Sequence, residues 1–211
     1  MTSKLIDLLR EFDAATLYEA AGQKGMVDPA IRPAWPGAAL CGPAATVRCP
    51  PGDNLALHQA VAAAQPGAVL VASVGGYLNA GAWGEVLTVA AQARGIVGLV
   101  IDGAVRDIDA IAERRFPVFS RGLAIGACTK ERRGTLDIPL LFGGLTVRPG
   151  DVVAGNSDGL VVIEQDKAEE VSRAAVERRR REQELFEELS KGRTTLELLG
   201  LPGVSDEVRK R

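Results

Sequence analysis

Ala68-Val-Leu-Val-Ala-Ser-Val74 runs directly into Gly75-Gly-Tyr-Leu-Asn-Ala-Gly-Ala-Trp-Gly-Glu85, and Ile96-Val-Gly-Leu-Val-Ile101 into Asp102-Gly-Ala-Val-Arg106-Asp107-Ile-Asp109. Each pair opens with an apolar run of strand length and ends in a glycine-rich or charged loop. Between them a helix is predicted from about Gly84 to Arg94, with Gly95 as its C-terminal stop. Asp102-Gly103 is predicted to turn. The reading is strand, loop, helix, strand, loop, a unit that presents its loops and helix starts along one sheet edge. Glu85, the unpaired first-turn amides of Val86 and Leu87, Arg106 and Asp107 are therefore expected to converge on one crevice. Two carboxylates, a guanidinium and a helix N-terminus suit a hard metal ion and an anionic substrate.

On the N-terminal side, residues 3–22 are expected to be helical with Ser3 as cap, Thr16 to Ala20 either continuing that helix or starting a second. Residues 23–37 carry three prolines and read as an ordered loop. Leu40 to Cys49 is a predicted strand, Pro50-Pro51-Gly52 a turn, and Asp53 or Asn54 the cap of a helix to Ala64. On the C-terminal side follow a short helix from Asp107 to Arg115, a strand from Pro117 to Ser120, and a glycine-rich, charged loop with a small strand over 121–135. Strands are predicted at Leu140–Val147, Asp151–Ala154 and Leu160–Glu164, with a turn at Asn156-Ser-Asp-Gly159. A long charged helix occupies Asp166 to Lys191. The leucine-rich tail from Thr194 to Leu201 is expected to dock against an apolar surface. Residues 1–211 are read as one α/β domain, its C-terminal helix and tail over about 166–201.

Composition narrows the class. The chain has 211 residues, 46% hydrophobic but only 4% aromatic, so its core is aliphatic, as suits helices on sheets. A net charge of −2 gives no electrostatic reason to expect nucleic-acid binding. Three cysteines (Cys41, Cys49, Cys128) without a C-x-x-C spacing fit a reducing, cytoplasmic setting. No apolar run approaches the length of a membrane span, and no signal-type segment opens the chain.

Other residues carry weaker signals. His58 is the only histidine and lies on an alanine-rich helix, where a structural or surface role is expected. One histidine and scattered cysteines remove nearly every zinc arrangement, leaving a carboxylate-and-water site for Mg²⁺ or Mn²⁺. All six lysines fall on helix surfaces or in polar loops, which argues against Schiff-base chemistry. Gly75-Gly76 with Gly81 and Gly84 matches no nucleotide loop; close backbone approach to a small ligand is expected instead. Trp83 either walls that site or packs in the core. Asp102 and Asp109 read as turn and helix-surface residues. Arg178 to Arg181, flanked by Glu177, Glu182 and Glu184, reads as a solvated helix face.

Glu85, twenty intervening residues and Arg106-Asp107 resemble the acid-x20-Arg-Asp signature of the 4-hydroxy-4-methyl-2-oxoglutarate and 4-carboxy-4-hydroxy-2-oxoadipate aldolases. These are class II pyruvate aldolases within the family of the regulator of ribonuclease E activity A. Pro51-Gly-Asp-Asn54 with His58, Gln92-Ala-Arg-Gly95, Ile138-Pro139, and Pro149-Gly-Asp-Val152 with Asp158-Gly159 sit at similar spacings, so the likeness covers roughly residues 15–190. Those aldolases carry aspartate where this chain has Glu85. The resemblance implies an αββα sandwich of the swivelling phosphohistidine-domain type, assembled as a homotrimer or hexamer with sites between subunits. It implies metal-dependent cleavage of a 4-hydroxy-2-oxo diacid to pyruvate, with oxaloacetate decarboxylation as a side activity. In that scheme Asp107 binds the metal and Arg106 stabilises the enolate. The amides of Val86 and Leu87 bind the substrate carboxylate, and Glu85 orders a water that moves the 4-hydroxyl proton. The position matching a glutamate from a neighbouring subunit is Glu182. The alternative is a non-enzymatic regulatory protein like the ribonuclease E inhibitors, though an inhibitor has no need of the acid-x20-Arg-Asp set. A methyltransferase reading lacks a glycine loop for its cofactor.

Overall fold

The computed structural model describes residues 2–203. The first predicted helix is two, α1 (Ser3–Arg10) and α2 (Ala14–Ala20), because Asp13 breaks it and caps the second half by accepting the Thr16 N–H at 2.7 Å. Ser3 lies inside α1 rather than at its cap, and Thr2, the cap residue, makes no side-chain capping bond. There follow β1 (Arg32–Pro33), β2 (Leu40–Arg48), α3 (Leu55–Ala63), β3 (Val69–Ser73), β4 (Gly81–Trp83), α4 (Glu85–Ala93), β5 (Gly98–Val105), α5 (Ile108–Glu113) and β6 (Val118–Leu123). The second half adds β7 (Thr135–Leu136), β8 (Leu140–Phe142), β9 (Leu145–Val147), β10 (Val152–Asn156), β11 (Gly159–Ile163), a 3₁₀ turn at Gln165–Lys167, α6 (Ala168–Ser190) and α7 (Thr195–Leu198).

The main sheet has the order β1-β6-β5-β3-β2-β10-β11, with β4 alongside β5 and β7 alongside β2. Strands β2, β3, β5 and β6 are parallel; β10, β11 and β1 pair antiparallel at the two ends. Those ends curl toward each other. Arg32 Nη1 donates to the Asp158 carbonyl at 3.2 Å, and Met26 bridges Val161, so the sheet becomes a nearly closed barrel.

Alternation along the strands explains the packing. In β3, Val69 and Val71 face the barrel interior with Val100, Phe119, Val153 and Val162, where the β8–β9 hairpin plugs the space with Leu140, Phe142 and Val147. Leu70 and Ala72 face outward, against Leu57 of α3, Leu87 of α4 and Ile111 beside them. Both faces are covered, which is why β3 reads as an unbroken apolar run. Around β10 and β11, Leu9, Leu17, Val171 and Ala175 of α1, α2 and α6 form a third cluster. Helices thus lie outside a sheet folded back on itself, the expected αββα layering.

Three expectations need correction. Asp102-Gly103 is not a turn; β5 runs through it to Val105, with an irregularity between Ile101 and Ala104. Glycine is there for close packing, since a Cβ at Gly103 would lie 2.1 Å from a Val74 methyl. Leu140–Val147 is a hairpin rather than one strand, turning at Gly143-Gly144, both with positive φ. The leucine-rich tail is only partly docked among the described residues. Leu196 and Leu198 are half-buried, and Leu199 and Leu201 are exposed, because α7 is a single capped turn beyond the end of α6.

The long helix divides as its composition suggests. Ala168, Val171, Ser172 and Ala175 are buried, while the following turns carry Arg180 paired with Glu177 and Glu184. Arg178 binds Glu19 and Glu182, and Arg179 lies 4.2 Å over the Phe12 ring. Among the described residues, no helix is long and apolar enough to cross a membrane.

Candidate active site

Arg106 and Asp107 emerge at the carboxyl end of β5. Asp107 holds the N-cap position of α5, but with φ 58°, and its carboxylate makes no bond to that helix. Instead Asp107 Oδ2 accepts the backbone N–H of Glu85, at the start of α4, at 3.0 Å. Arg106 Nε lies 3.7 Å from the same oxygen. The short β4, unforeseen inside the glycine-rich stretch, brings these parts together: Arg106 N–H donates to the Trp83 carbonyl at 2.9 Å. Trp83 is itself fully buried, its indole N–H on Thr88 Oγ1 at 2.7 Å and its ring stacked on Phe116, so it belongs to the core.

Gly84 sets the approach of β4 to Asp107. A Cβ there would lie 2.4 Å from Asp107 Oδ2 and 3.2 Å from both Asp107 Cγ and Arg106 Cγ, so the carboxylate would have to leave its place on the Glu85 N–H. Gly84→Ala is therefore expected to cost about 1–3 kcal/mol in overpacking and to displace Asp107. Thermal unfolding should show a midpoint lowered by several degrees, and activity should fall with it.

Beside this pair is a pocket of about 230 Å³. Val86, Leu87, Arg106 and Asp107 line it, as the sequence suggests, and Asn54, His58 and Lys130 close the other side. Glu85 is not in the lining. Its Oε1 accepts from Arg114 Nε at 2.9 Å and Nη2 at 2.7 Å, so the carboxylate is turned toward the end of α5. Glu182 lies on α6, bound to Arg178, and does not line the pocket of its own chain. A larger concavity, about 670 Å³ between α2, β9, β11 and α6, contains none of the predicted site residues and mixes Lys24, Arg148 and Lys167 with Glu164 and Glu170.

Asn54 and Lys130 were not anticipated, and both reach the pocket through Asp53. That carboxylate is fully buried and accepts from Leu55 N, the Thr129 hydroxyl, Glu131 N and Arg132 N, at 2.7–3.1 Å. It fastens the 128–132 loop to the start of α3 and so places Lys130 over the pocket. The signal for it is Pro51-Gly-Asp-Asn54, which the sequence marks as turn, cap and part of the family resemblance, but not as the anchor of a distant loop. Asn54 holds the cap position without a side-chain capping bond; Asp53 takes the Leu55 N–H instead.

Burial alone would raise the Asp53 carboxyl, but those hydrogen bonds outweigh it and hold it far below the ordinary carboxylate range. The folded value is depressed, so Asp53 contributes stability above the unfolded value near 4, and that contribution is lost as pH falls below it. Asp53→Asn is expected to be less stable at neutral pH and to lose less on acidification. Urea midpoints at pH 7 and at about pH 2 check this, since an unchanged pH dependence contradicts it. The His58 imidazole, pushed below its usual value by burial and then by Lys130, stays neutral at pH 7.

The donor set bears on a metal. Among the described residues no group of three or more His, Cys, Asp or Glu is placed to hold one. Asp107 is the acid in the pocket lining, and Asn54 Oδ1, which is buried, has no hydrogen-bond partner. One carboxylate with open positions fits Mg²⁺ or Mn²⁺, which keep several waters and take few protein ligands; it does not fit zinc or calcium.

Residues 2–162 match the RraA-like family model, described as Aldolase/RraA. The chain belongs to this Aldolase/RraA family. A protein of Halalkalibacterium halodurans, provisionally named a 4-hydroxy-4-methyl-2-oxoglutarate aldolase, is 40% identical over 136 residues, covering 64% of this chain and 65% of that relative. The aligned part of the chain thus spans just under two thirds of that relative. A crystal structure of an uncharacterised Pseudomonas syringae protein superimposes with a TM-score of 0.84 at 32% identity, over 92% of both chains. One from Streptomyces coelicolor, an unusual member of the RNase ES inhibitor RraA protein family, gives 0.76 at 27% identity, over 92% of this chain and 98% of its own.

Proposed function

We propose that the chain is a divalent-metal-dependent aldolase that cleaves a 4-hydroxy-2-oxo diacid to pyruvate and a second oxo acid. Oxaloacetate decarboxylation, which passes through the same enolate, is its side reaction. The observation that carries this reading is the pocket itself, where Arg106, Asp107 and the first turn of α4 meet around one small volume.

Asp107 would hold Mg²⁺ or Mn²⁺, which when bound supplies Lewis acidity toward the 2-oxo oxygen. Arg106 directs its N–H donors at that oxygen and stabilises the negative charge that grows there as the C3–C4 bond breaks. The first-turn amides of Val86 and Leu87, unpaired within α4, bind the adjoining carboxylate. Lys130 supplies a second cation for the distal carboxylate, which favours a diacid. The 4-hydroxyl proton passes to a water in the pocket as the C4 carbonyl forms. Glu85 contributes its backbone N–H, which fixes Asp107, while its carboxylate stays on Arg114.

The same reading assigns the protein to the cytoplasm, because Cys41, Cys49 and Cys128 are all free thiols. It also assigns a homotrimer or dimer of trimers. There the protruding part of α6 with Glu182 and the exposed Leu199 and Leu201 meet a neighbouring subunit, and Glu182 reaches that subunit's pocket.

Incubation with 4-hydroxy-4-methyl-2-oxoglutarate and Mg²⁺ should release pyruvate, and chelation should stop it. A protein acting only as a ribonuclease E-type inhibitor releases none.

A further inference from the structure

Asn54 carries an unpaired acceptor that the scheme above does not use. The residue is 8% exposed and lines the pocket, and its Oδ1 is buried without a partner. Its orientation is fixed, because Nδ2 donates to the Ala82 carbonyl at 2.8 Å; that carbonyl can only accept, so the nitrogen must face it. A buried acceptor left unpaired is unfavourable, and few native ones remain so without a reason. The neighbouring cations do not satisfy it, although Arg106 and Lys130 share the lining.

The ligand classes narrow the partner. Carboxylates and the 2-oxo group offer only acceptors, so they cannot pair with Oδ1. Three partners remain during cleavage: the cation held by Asp107, which both cleavage and decarboxylation would need equally, the substrate's 4-hydroxyl, and the water that receives its proton. The hydroxyl has a single hydrogen, and in the transition state that hydrogen must point at the water. Water has two hydrogens and two lone pairs. Giving one hydrogen to an amide oxygen turns a lone pair toward the hydroxyl.

Resting on the aldolase reading, we infer that Asn54 is a positioning residue that orients the proton-accepting water through Oδ1. The amide is not a base and takes no proton. The C3–C4 bond breaks, its electron pair passes to the enolate, the C4 oxygen becomes a carbonyl, and the proton leaves on the water. Lys130, exposed on the same wall, has the rotamer freedom to make way for that water. The carboxylate of Glu85, engaged by Arg114, is not needed for this step.

Oxaloacetate separates this role from every other, since its C–C bond breaks without loss of a hydroxyl proton. With the Mg²⁺-loaded protein, Asn54→Ala is expected to lower kcat for 4-hydroxy-4-methyl-2-oxoglutarate about tenfold, with KM unchanged. Its oxaloacetate decarboxylation and its oxalate affinity by calorimetry should stay within about twofold of wild type. Asn54→Ser, whose hydroxyl suits a helix start but is one atom short, serves if alanine fails to fold, with the same split expected. Equal loss in both reactions overturns the proposal, as does a rise in KM for the hydroxy acid with kcat intact. Should the wild-type protein cleave neither substrate, the aldolase reading itself falls.

Discussion

Replacing Asp107 by alanine is expected to abolish metal-dependent pyruvate release while leaving the chain folded. Asp107 is the acid of the pocket lining, and neither Glu85, turned onto Arg114, nor Glu182, on α6, can substitute within the same chain. The structural penalty has two parts. Glu85 N–H loses its 3.0 Å acceptor, and alanine must adopt the left-handed φ of 58° that aspartate tolerates better. Each part costs about 1–2 kcal/mol, less than a domain of this size has to spare. Asp107→Asn removes the objection that strain is responsible. Asparagine tolerates the same φ and keeps an oxygen for Glu85 N–H, but it has lost the charge that attracts a divalent cation. Both variants should be inactive with normal circular dichroism, and an active, folded Asp107→Asn contradicts the assignment.

Arg106→Ala is expected to cut kcat by about 10²–10³, the usual loss when a donor to a developing oxyanion is removed. The side chain is partly exposed, so deletion leaves no buried charge uncompensated, and stability should change little. Arg106→Lys should recover only part of the loss and remain at least about tenfold below wild type, because a point charge cannot reproduce a planar fork of donors. Oxaloacetate decarboxylation should fall in parallel, since both reactions share the enolate. A rise in KM alone would make Arg106 a carboxylate anchor instead.

Strong local signals made much of this architecture readable in advance. The unbroken apolar runs of β3 and β5, the Gly95 stop and the acid-x20-Arg-Asp spacing put Arg106, Asp107, Val86 and Leu87 in the expected places, and the structure gathers those four in one lining. What was missed depended on contacts distant in sequence. Asp102-Gly103 looks like a turn locally, yet the close passage of Val74 explains the glycine. Asp53 looks like a helix cap, yet it binds amides nearly eighty residues away and so brings Lys130 to the site. The carboxylate of Glu85 went to Arg114, a partner at the far end of α5 that no spacing rule indicates. The leucines of the tail announce burial, yet Leu199 and Leu201 stay exposed among the described residues.

The central claim is that Asp107 holds a divalent cation in this pocket while Glu85 does not. Titration with Mn²⁺, followed by the loss of the free-ion electron paramagnetic resonance signal, tests it without requiring turnover. The wild-type chain should bind one Mn²⁺ per pocket, Asp107→Asn should lose that binding, and Glu85→Gln should keep it nearly intact. Unchanged affinity in Asp107→Asn, or equal losses in the two variants, would contradict the account.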